Sequence, residues 1–205
     1  MPSTMKLFYS PQVCSLVPHI ILRELGVKFE VEKVDFKTKH VAHGGVLTDI
    51  TPKDYVPVLE LDDGNRLTEL SVIIRYLADQ HPEAKLIPAP GTFERVRFEE
   101  LIHFVSTELH KGFAPFSLMP NVGEESLAWA KNRLASRTEI LRTQLGDRPF
   151  IFGDSFTIAD PYTFWSLRAY GFLTRTKLDG TLKDYMTRMN EWPSIKETVD
   201  LEKRA

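Results

Sequence analysis

The sequence predicts an α/β domain followed by an all-α domain. Three observations predict it. Strand and helix patterns alternate through about residue 80, and Pro82, Pro88, Pro90 and Gly91 then crowd one short stretch. Only helical periodicity follows. The expected boundaries are 1–82 for the first domain, 83–91 for the linker and 92–205 for the helical domain. Hydrophobic residues make up 42% of the 205-residue chain and charged residues 26%, which suits a packed core and excludes disorder by composition. A formal charge of -2 argues against a broad polyanion-binding surface, so no nucleic-acid partner is expected. No apolar run approaches the ~20 residues of a membrane span. Met1-Pro2-Ser3-Thr4 lacks a signal-peptide pattern. With a single cysteine, no intramolecular disulfide forms, and the expected compartment is the reducing cytoplasm.

Each element has its own signal. Lys6-Leu7-Phe8-Tyr9 is a short apolar run that stops at Ser10-Pro11, a strand ending in a turn. From Ser15 to Leu25, Leu16, Val17, Ile20, Ile21 and Leu25 recur at helical spacing, and Gly26 marks the stop. Phe29 to Val34 alternates with period two, so strand, helix and strand make a parallel crossover unit. The stretch from His40 to Lys53 is irregular, with a short helix expected near Val46 to Ile50. Val56 to Leu61 and Arg66 to Thr68 read as strands joined by an Asp63-Gly64 turn. Ser71 to Gln80 reads as a helix burying Val72, Ile73, Tyr76 and Leu77. This order is that of a thioredoxin-like module. In the second half, Phe98, Leu101, Ile102, Val105 and Leu109 form one stripe. Leu127, Ala130, Leu134, Ile140, Leu141 and Leu145 suggest a long helix ending before Gly146. Pro161 to Tyr170 and Leu182 to Met189 suggest two more. Thr157-Ile158-Ala159-Asp160 has the form of a reciprocal capping box, a folding determinant.

The chemistry-bearing candidates start with Cys14, between the strand-ending turn and a helix start. A helix dipole and unpaired N–H groups there favour a thiolate. The bland alternative is a buried, inert cysteine. Activation alone gains little, because nucleophilicity falls as the thiolate fraction rises, so positioning of a bound partner must supply most of any catalysis. Val56-Pro57 opens a strand, where proline withholds no needed donor. Glu69 opens a helix and reads either as acceptor for a ligand ammonium or as a dipole-stabilised acid; the N–H groups of Leu70 and Ser71 could hold a carboxylate. His103, Thr107 and His110, spaced i, i+4, i+7, form one polar stripe that either lines a cleft or is solvated. His40 and His43 sit in a Gly-rich loop, and neither histidine pair has metal-site spacing.

These residues together resemble the bacterial beta-class glutathione S-transferases. The resemblance runs through Met5-Lys6-Leu7-Phe8-Tyr9-Ser10-Pro11, Cys14-Ser15-Leu16, His19-Ile20, Pro52-Lys53, Val56-Pro57, Leu67-Thr68-Glu69 and Tyr76-Leu77-Ala78-Asp79. It continues through Thr107 to Phe113 and Phe156-Thr157-Ile158-Ala159-Asp160. It implies the glutathione transferase fold, a homodimer, and glutathione as co-substrate with no metal. It also implies a cis Val56-Pro57 bond, with Cys14 beside the glutathione sulfur and able to form a mixed disulfide with it. Lys39 would contact the ligand, the Val56 backbone would pair with its cysteinyl backbone, and Glu69 with Leu70 would hold its γ-glutamyl end. His103, Thr107, Glu108, Leu109 and His110 would face the site. The implied role is cytoplasmic detoxification: conjugation of glutathione to a small hydrophobic electrophile, with thiol-disulfide exchange or peroxide reduction through Cys14 as further activities. Phe113, Phe116, Leu118, Tyr162 and Trp165 are candidates for the electrophile pocket. Tyr9, Ser10 and Ser15 rival Cys14 for activating sulfur. The chain departs from the family at Leu70, His103 and the 44–54 loop, where Asp54 replaces glycine. A non-catalytic binding or regulatory protein on the same fold is the alternative.

Overall fold

The computed structural model describes residues 4–205; residues 1–3, the start of the expected first domain and of the leader reading, lie outside it. Among the described residues two compact units emerge: 4–84 with 192–205, and 85–191. Residues 192–205, grouped from sequence with the helical domain, therefore pack with the first unit.

In the first unit a four-stranded sheet runs in the order β2-β1-β3-β4: β1 (Met5–Tyr9), β2 (Phe29–Lys33), β3 (Val58–Glu60) and β4 (Arg66–Leu67). β1 and β2 are parallel, with Leu7 opposite Val31 and Tyr9 opposite Lys33, as the crossover reading requires. β3 runs antiparallel to β1 and to β4. The β3–β4 turn closes through Leu61 and Asn65, around Asp63-Gly64. α1 (Leu16–Glu24) supplies the crossover, and Gly26 at φ 65 lets its N–H turn back to the Arg23 carbonyl. The expected short helix is a single 3-10 turn, Leu47–Asp49.

Every residue of α1 from Leu16 to Leu22 is buried, including Pro18 and His19, which a one-sided apolar stripe does not explain. The second cover is α8 (Pro193–Arg204), absent from the sequence expectations. Trp192 Nε1 donates to Glu24 at 3.0 Å and Arg23 pairs with Glu197 at 2.9 Å along this seam. α2 (Leu70–Asp79) buries Leu70, Ile73, Ile74, Leu77 and Ala78. Val72, expected inside, is exposed, because the inward face is centred on Leu70, Ile73, Ile74 and Leu77 and Val72 lies outside it.

The second unit is helical: α3 (Phe93–Phe104), a four-residue α4 (Ala114–Ser117), α5 (Glu124–Leu145), α6 (Ala159–Thr174) and α7 (Gly180–Glu191). Thr92 caps α3 by accepting from the Arg95 N–H at 3.1 Å. The stripe Phe98, Leu101, Ile102, Val105 and Leu109 is buried as expected. Ile140 of α5, expected inside, is exposed. From Val105 to His110 the chain continues as a π-helix. A Cβ at Gly112 beyond it would stand 2.9 Å from a terminal methyl of Leu134 in α5, so a side chain there requires that leucine to shift.

The expected capping box is half right. Asp160 Oδ2 does accept from the Thr157 N–H at 2.8 Å. The Asp160 N–H, however, bonds the Thr157 carbonyl, and the Thr157 hydroxyl donates to the carboxylate instead of accepting. Helix α6 starts late enough that Pro161 stands in its first turn, where no intrahelical acceptor waits for an N–H.

Candidate functional site

The loop from Ser10 to Ser15 is built before it carries chemistry. Ser15 Oγ accepts from the Ser10 N–H and donates to the Ser10 carbonyl, each at 3.0 Å, cross-bracing the turn. Ser10 Oγ donates to the Val34 carbonyl at 2.6 Å. Gln12 takes φ 63, a left-handed conformation rare for a side-chain-bearing residue, and its N–H donates to Glu202 at 2.6 Å. Its side chain donates to the Val199 carbonyl at 3.2 Å. Val13 packs beside a cluster of Phe8, Val34, Val41, Leu47, Val56 and Val58. The packing that anchors Val13 thus anchors Val56 too, and brings Cys14 against it.

Cys14 is half-buried, two residues ahead of α1. Its Sγ donates to the Val56 carbonyl at 3.3 Å, and the Val56-Pro57 bond is cis. That hydrogen bond exists only while sulfur keeps its proton. The expected donors at the helix start differ from the sequence reading. The Leu16 N–H bonds the Val13 carbonyl and the Val17 N–H the Cys14 carbonyl, while Pro18 has none to give. The turn ahead of α1 thus occupies the Leu16 and Val17 N–H groups.

The rivals of Cys14 are otherwise engaged. Ser10 and Ser15 are 1% and 0% exposed, with their hydroxyls in the turn bracing. Tyr9 is buried and edge-on to His19, and burial, with the Glu202 charge second, raises its phenol above the ordinary range.

Glu69 precedes α2 with φ 67 and ψ 113, an unfavourable conformation for a non-glycine residue and of the kind that clusters at ligand clamps. Its Oε1 receives the Lys53 ammonium at 2.7 Å and the Tyr55 hydroxyl at 2.5 Å. Burial, then the bond to Glu69, raises the Tyr55 phenol. Sequence reasoning missed both donors. The signal was present in Lys53-Asp54-Tyr55, three polar residues beside the Val56-Pro57 step, but nothing local says that they fold onto Glu69. Leu70 and Ser71 hold the first two positions of α2, where N–H groups have no acceptor within the helix. Lys39, at φ 62 in the turn after β2, lays its ammonium 4.9 Å from the centre of the Phe36 ring.

In the helical unit the π-helix breaks up the expected stripe. A π turn closes i to i+5, so residues beyond it swing off the α-helical register. His103 and Thr107 remain exposed, with the Thr107 hydroxyl donating to the His103 carbonyl at 2.9 Å. His110 turns toward α6, its Nδ1 3.0 Å from the Tyr162 hydroxyl and its ring edge-on to Trp165. Glu108 is held by Arg133 at 2.6 Å and Arg137 at 2.7 Å, and these bonds, the one from Arg137 first, lower its carboxyl below the usual range. Leu109 is fully buried, so its side chain is core. Among the pocket candidates, Phe113, Tyr162 and Trp165 are core as well, whereas Leu118 is exposed. No group of His, Cys, Asp and Glu fit to hold a metal occurs among the described residues. No helix among them is long and apolar enough to cross a membrane.

The Glu108 clamp gives a first expectation. Its lowered carboxyl adds stability that is complete above the ordinary carboxylate range and is lost as pH falls through the lowered value. Glu108→Ala is expected to lower Tm at pH 7 by about 2–4 °C, since the pairs are partly exposed. Thermal melts at pH 7 and pH 3 check it: the deficit should shrink at the lower pH.

A thioredoxin-like sheet with a half-buried cysteine after its first strand, facing the carbonyl of the residue before a cis-proline, followed by a helical unit, defines a class of thiol-handling two-domain proteins. Comparison narrows the class. Residues 13–80 match the family model of the glutathione S-transferase N-terminal domain. The chain is 37% identical to glutathione S-transferase GstA of Escherichia coli O157:H7 over 97% of this chain and 98% of that one. A sphingomonad glutathione S-transferase solved in complex with glutathione is 34% identical, with a TM-score of 0.88 over 98% of this chain and 100% of that one. A beta-class enzyme of Sphingomonas chungbukensis is 36% identical, with a TM-score of 0.86 over 96% and 98%. The chain belongs to the glutathione S-transferase family, and its likeness is to the bacterial beta class.

Proposed function

We propose that this chain is a glutathione transferase that seats glutathione against Cys14, Val56 and Glu69 and delivers its thiol to a small hydrophobic electrophile. The observation that carries the reading is the Cys14 sulfur 3.3 Å from the carbonyl of the cis-bonded Val56. A cysteinyl amide of glutathione donating to that carbonyl replaces the Cys14 S–H there and puts two sulfurs side by side. The γ-glutamyl ammonium goes to Glu69, and the γ-glutamyl carboxylate to the backbone N–H groups of Leu70 and Ser71 at the α2 terminus. Lys39 supplies a cation for a ligand carboxylate. From the helical unit, His103, Thr107 and His110 offer polar groups, whereas Glu108 and Leu109 serve through their backbone. In conjugation glutathione releases its thiol proton to solvent, and its thiolate forms a bond to the electrophilic carbon as the bond from that carbon to the leaving group breaks. In exchange, the Cys14 thiolate attacks glutathione disulfide, forms the mixed disulfide and expels one glutathione thiolate. The protein works as a cytoplasmic homodimer. Support comes from the sphingomonad relative solved with glutathione.

Titration with glutathione and with its disulfide tests this, comparing wild type with Cys14→Ala and reading thiol state by intact mass. Wild type is expected to bind glutathione and, with the disulfide, to gain the mass of one glutathionyl group, which Cys14→Ala does not. Conjugating activity toward a panel of aromatic halides and epoxides is expected in wild type. Absence of glutathione binding, coupled with tight binding of a protein partner, would favour a non-catalytic role for the fold.

A further inference from the structure

We propose that Lys53 is a stand-in for the ligand's ammonium at Glu69, so that glutathione binds by exchanging one ammonium for another on the same carboxylate. The proposal rests on the assignment of Glu69 to the γ-glutamyl end. The Lys53 Nζ lies 2.7 Å from Glu69 Oε1, within the geometry a ligand ammonium would take. The Tyr55 hydroxyl meets the same oxygen at 2.5 Å, so the carboxylate stays oriented when Lys53 leaves. The backbone of Glu69, at φ 67 and ψ 113, sets the direction in which its side chain leaves the chain. Lys53 reaches it from a segment held by its own N–H on Thr51 Oγ1, at 3.3 Å. The lysine side chain is 43% exposed and that of Glu69 41%, so water reaches both and the swap never strands a bare buried charge. Glu69, in turn, raises the affinity of Lys53 for its proton, mainly through the hydrogen bond, which keeps the stand-in charged. An ammonium already in place discounts the benefit of the incoming one. The residue therefore tunes how strongly the site prefers a γ-glutamyl ligand over one without the amine.

Calorimetric titration with glutathione and with glutaryl-cysteinylglycine, the analogue lacking the α-ammonium, tests the exchange in wild type, Lys53→Met, Lys53→Arg and Glu69→Gln. Lys53→Met is expected to widen the preference for glutathione over the analogue about two- to fivefold, the range of an exposed ion pair. Lys53→Arg should leave that preference near wild type, and Glu69→Gln should remove it. Equal weakening of both ligands in Lys53→Met means that the lysine holds a ligand carboxylate, and an unchanged ratio means that it stands aside; either overturns the exchange alone when the Glu69→Gln effect is intact. Failure of wild type to bind glutathione, or a preference that survives Glu69→Gln, defeats the Glu69 assignment and the exchange with it.

Discussion

Asp160→Ala is expected to lower the free energy of unfolding by about 3–5 kcal/mol, the cost of leaving several buried hydrogen-bond donors without an acceptor. Asp160 is fully buried. Its carboxylate accepts from the N–H groups of Ile151 and Thr157 at 2.9 and 2.8 Å and from the Tyr185 hydroxyl at 3.1 Å. Alanine leaves those donors facing a void with no water to satisfy them. The pH dependence has the less common sign for an acid. Burial outweighs the hydrogen bonds and raises the carboxyl from 3.8 to about 6. The native state therefore holds a proton that the unfolded chain has already released, and this group's contribution falls as pH rises from about 4 through about 6. Over that window the loss is about 3 kcal/mol. Asp160→Asn does not titrate, so the stability gap between wild type and Asp160→Asn should narrow from pH 4 to pH 7 in urea unfolding. A gap that widens with pH means that the hydrogen bonds win over desolvation, and the assignment of the shift is wrong.

What the sequence revealed, and what it hid, divides along range in the chain. β1, α1, β2 and the β3–β4 hairpin were legible because apolar alternation, Gly26 and Asp63-Gly64 act within a few residues of where they stand. The Thr157–Asp160 contact was legible for the same reason, though not which group donates; that depends on Ile151 and Tyr185 saturating the carboxylate from elsewhere. The location of Cys14 at a strand-to-helix turn was readable, but the fate of the first N–H groups of α1 was not. Val13 and Cys14 carbonyls take them, a choice made by the turn's closure. The π-helix was hidden because Val105 to His110 carries an ordinary apolar spacing that an α-helix would satisfy equally well. α8 was hidden because its apolar face is narrow and its partner, α1, lies far away in sequence. The burial of Pro18 and His19 beneath it shows only in the folded chain.

Glu202→Ala carries the other large effect, and it connects the last helix to the chain's single cysteine. Glu202 is 2% exposed, with one carboxylate oxygen on the Gln12 N–H at 2.6 Å and the other on His19 Nδ1 at 2.8 Å. Arg23 Nε approaches His19 Nε2 at 3.4 Å as a donor, so the ring fits best with its hydrogen on Nδ1, pointing at Glu202. Alanine strands the Gln12 N–H and that imidazole N–H in a closed site, which should lower unfolding free energy by about 2–4 kcal/mol. Gln12 also loses the bond that helps hold it at φ 63, so the loop carrying Cys14 relaxes. Alkylation of Cys14 by iodoacetamide should therefore quicken in Glu202→Ala while glutathione binding weakens. Glu202→Gln separates the hydrogen bonds from the charge. Its carbonyl still accepts from Gln12, but its amide must donate to Nδ1, which moves the ring hydrogen to Nε2 and sets it against Arg23. An intermediate loss of about 1 kcal/mol is expected, with Cys14 alkylation close to wild type. If Glu202→Ala destabilised the fold but left alkylation and binding untouched, α8 would brace α1 alone, and the bond to Gln12 would have no bearing on the sulfur.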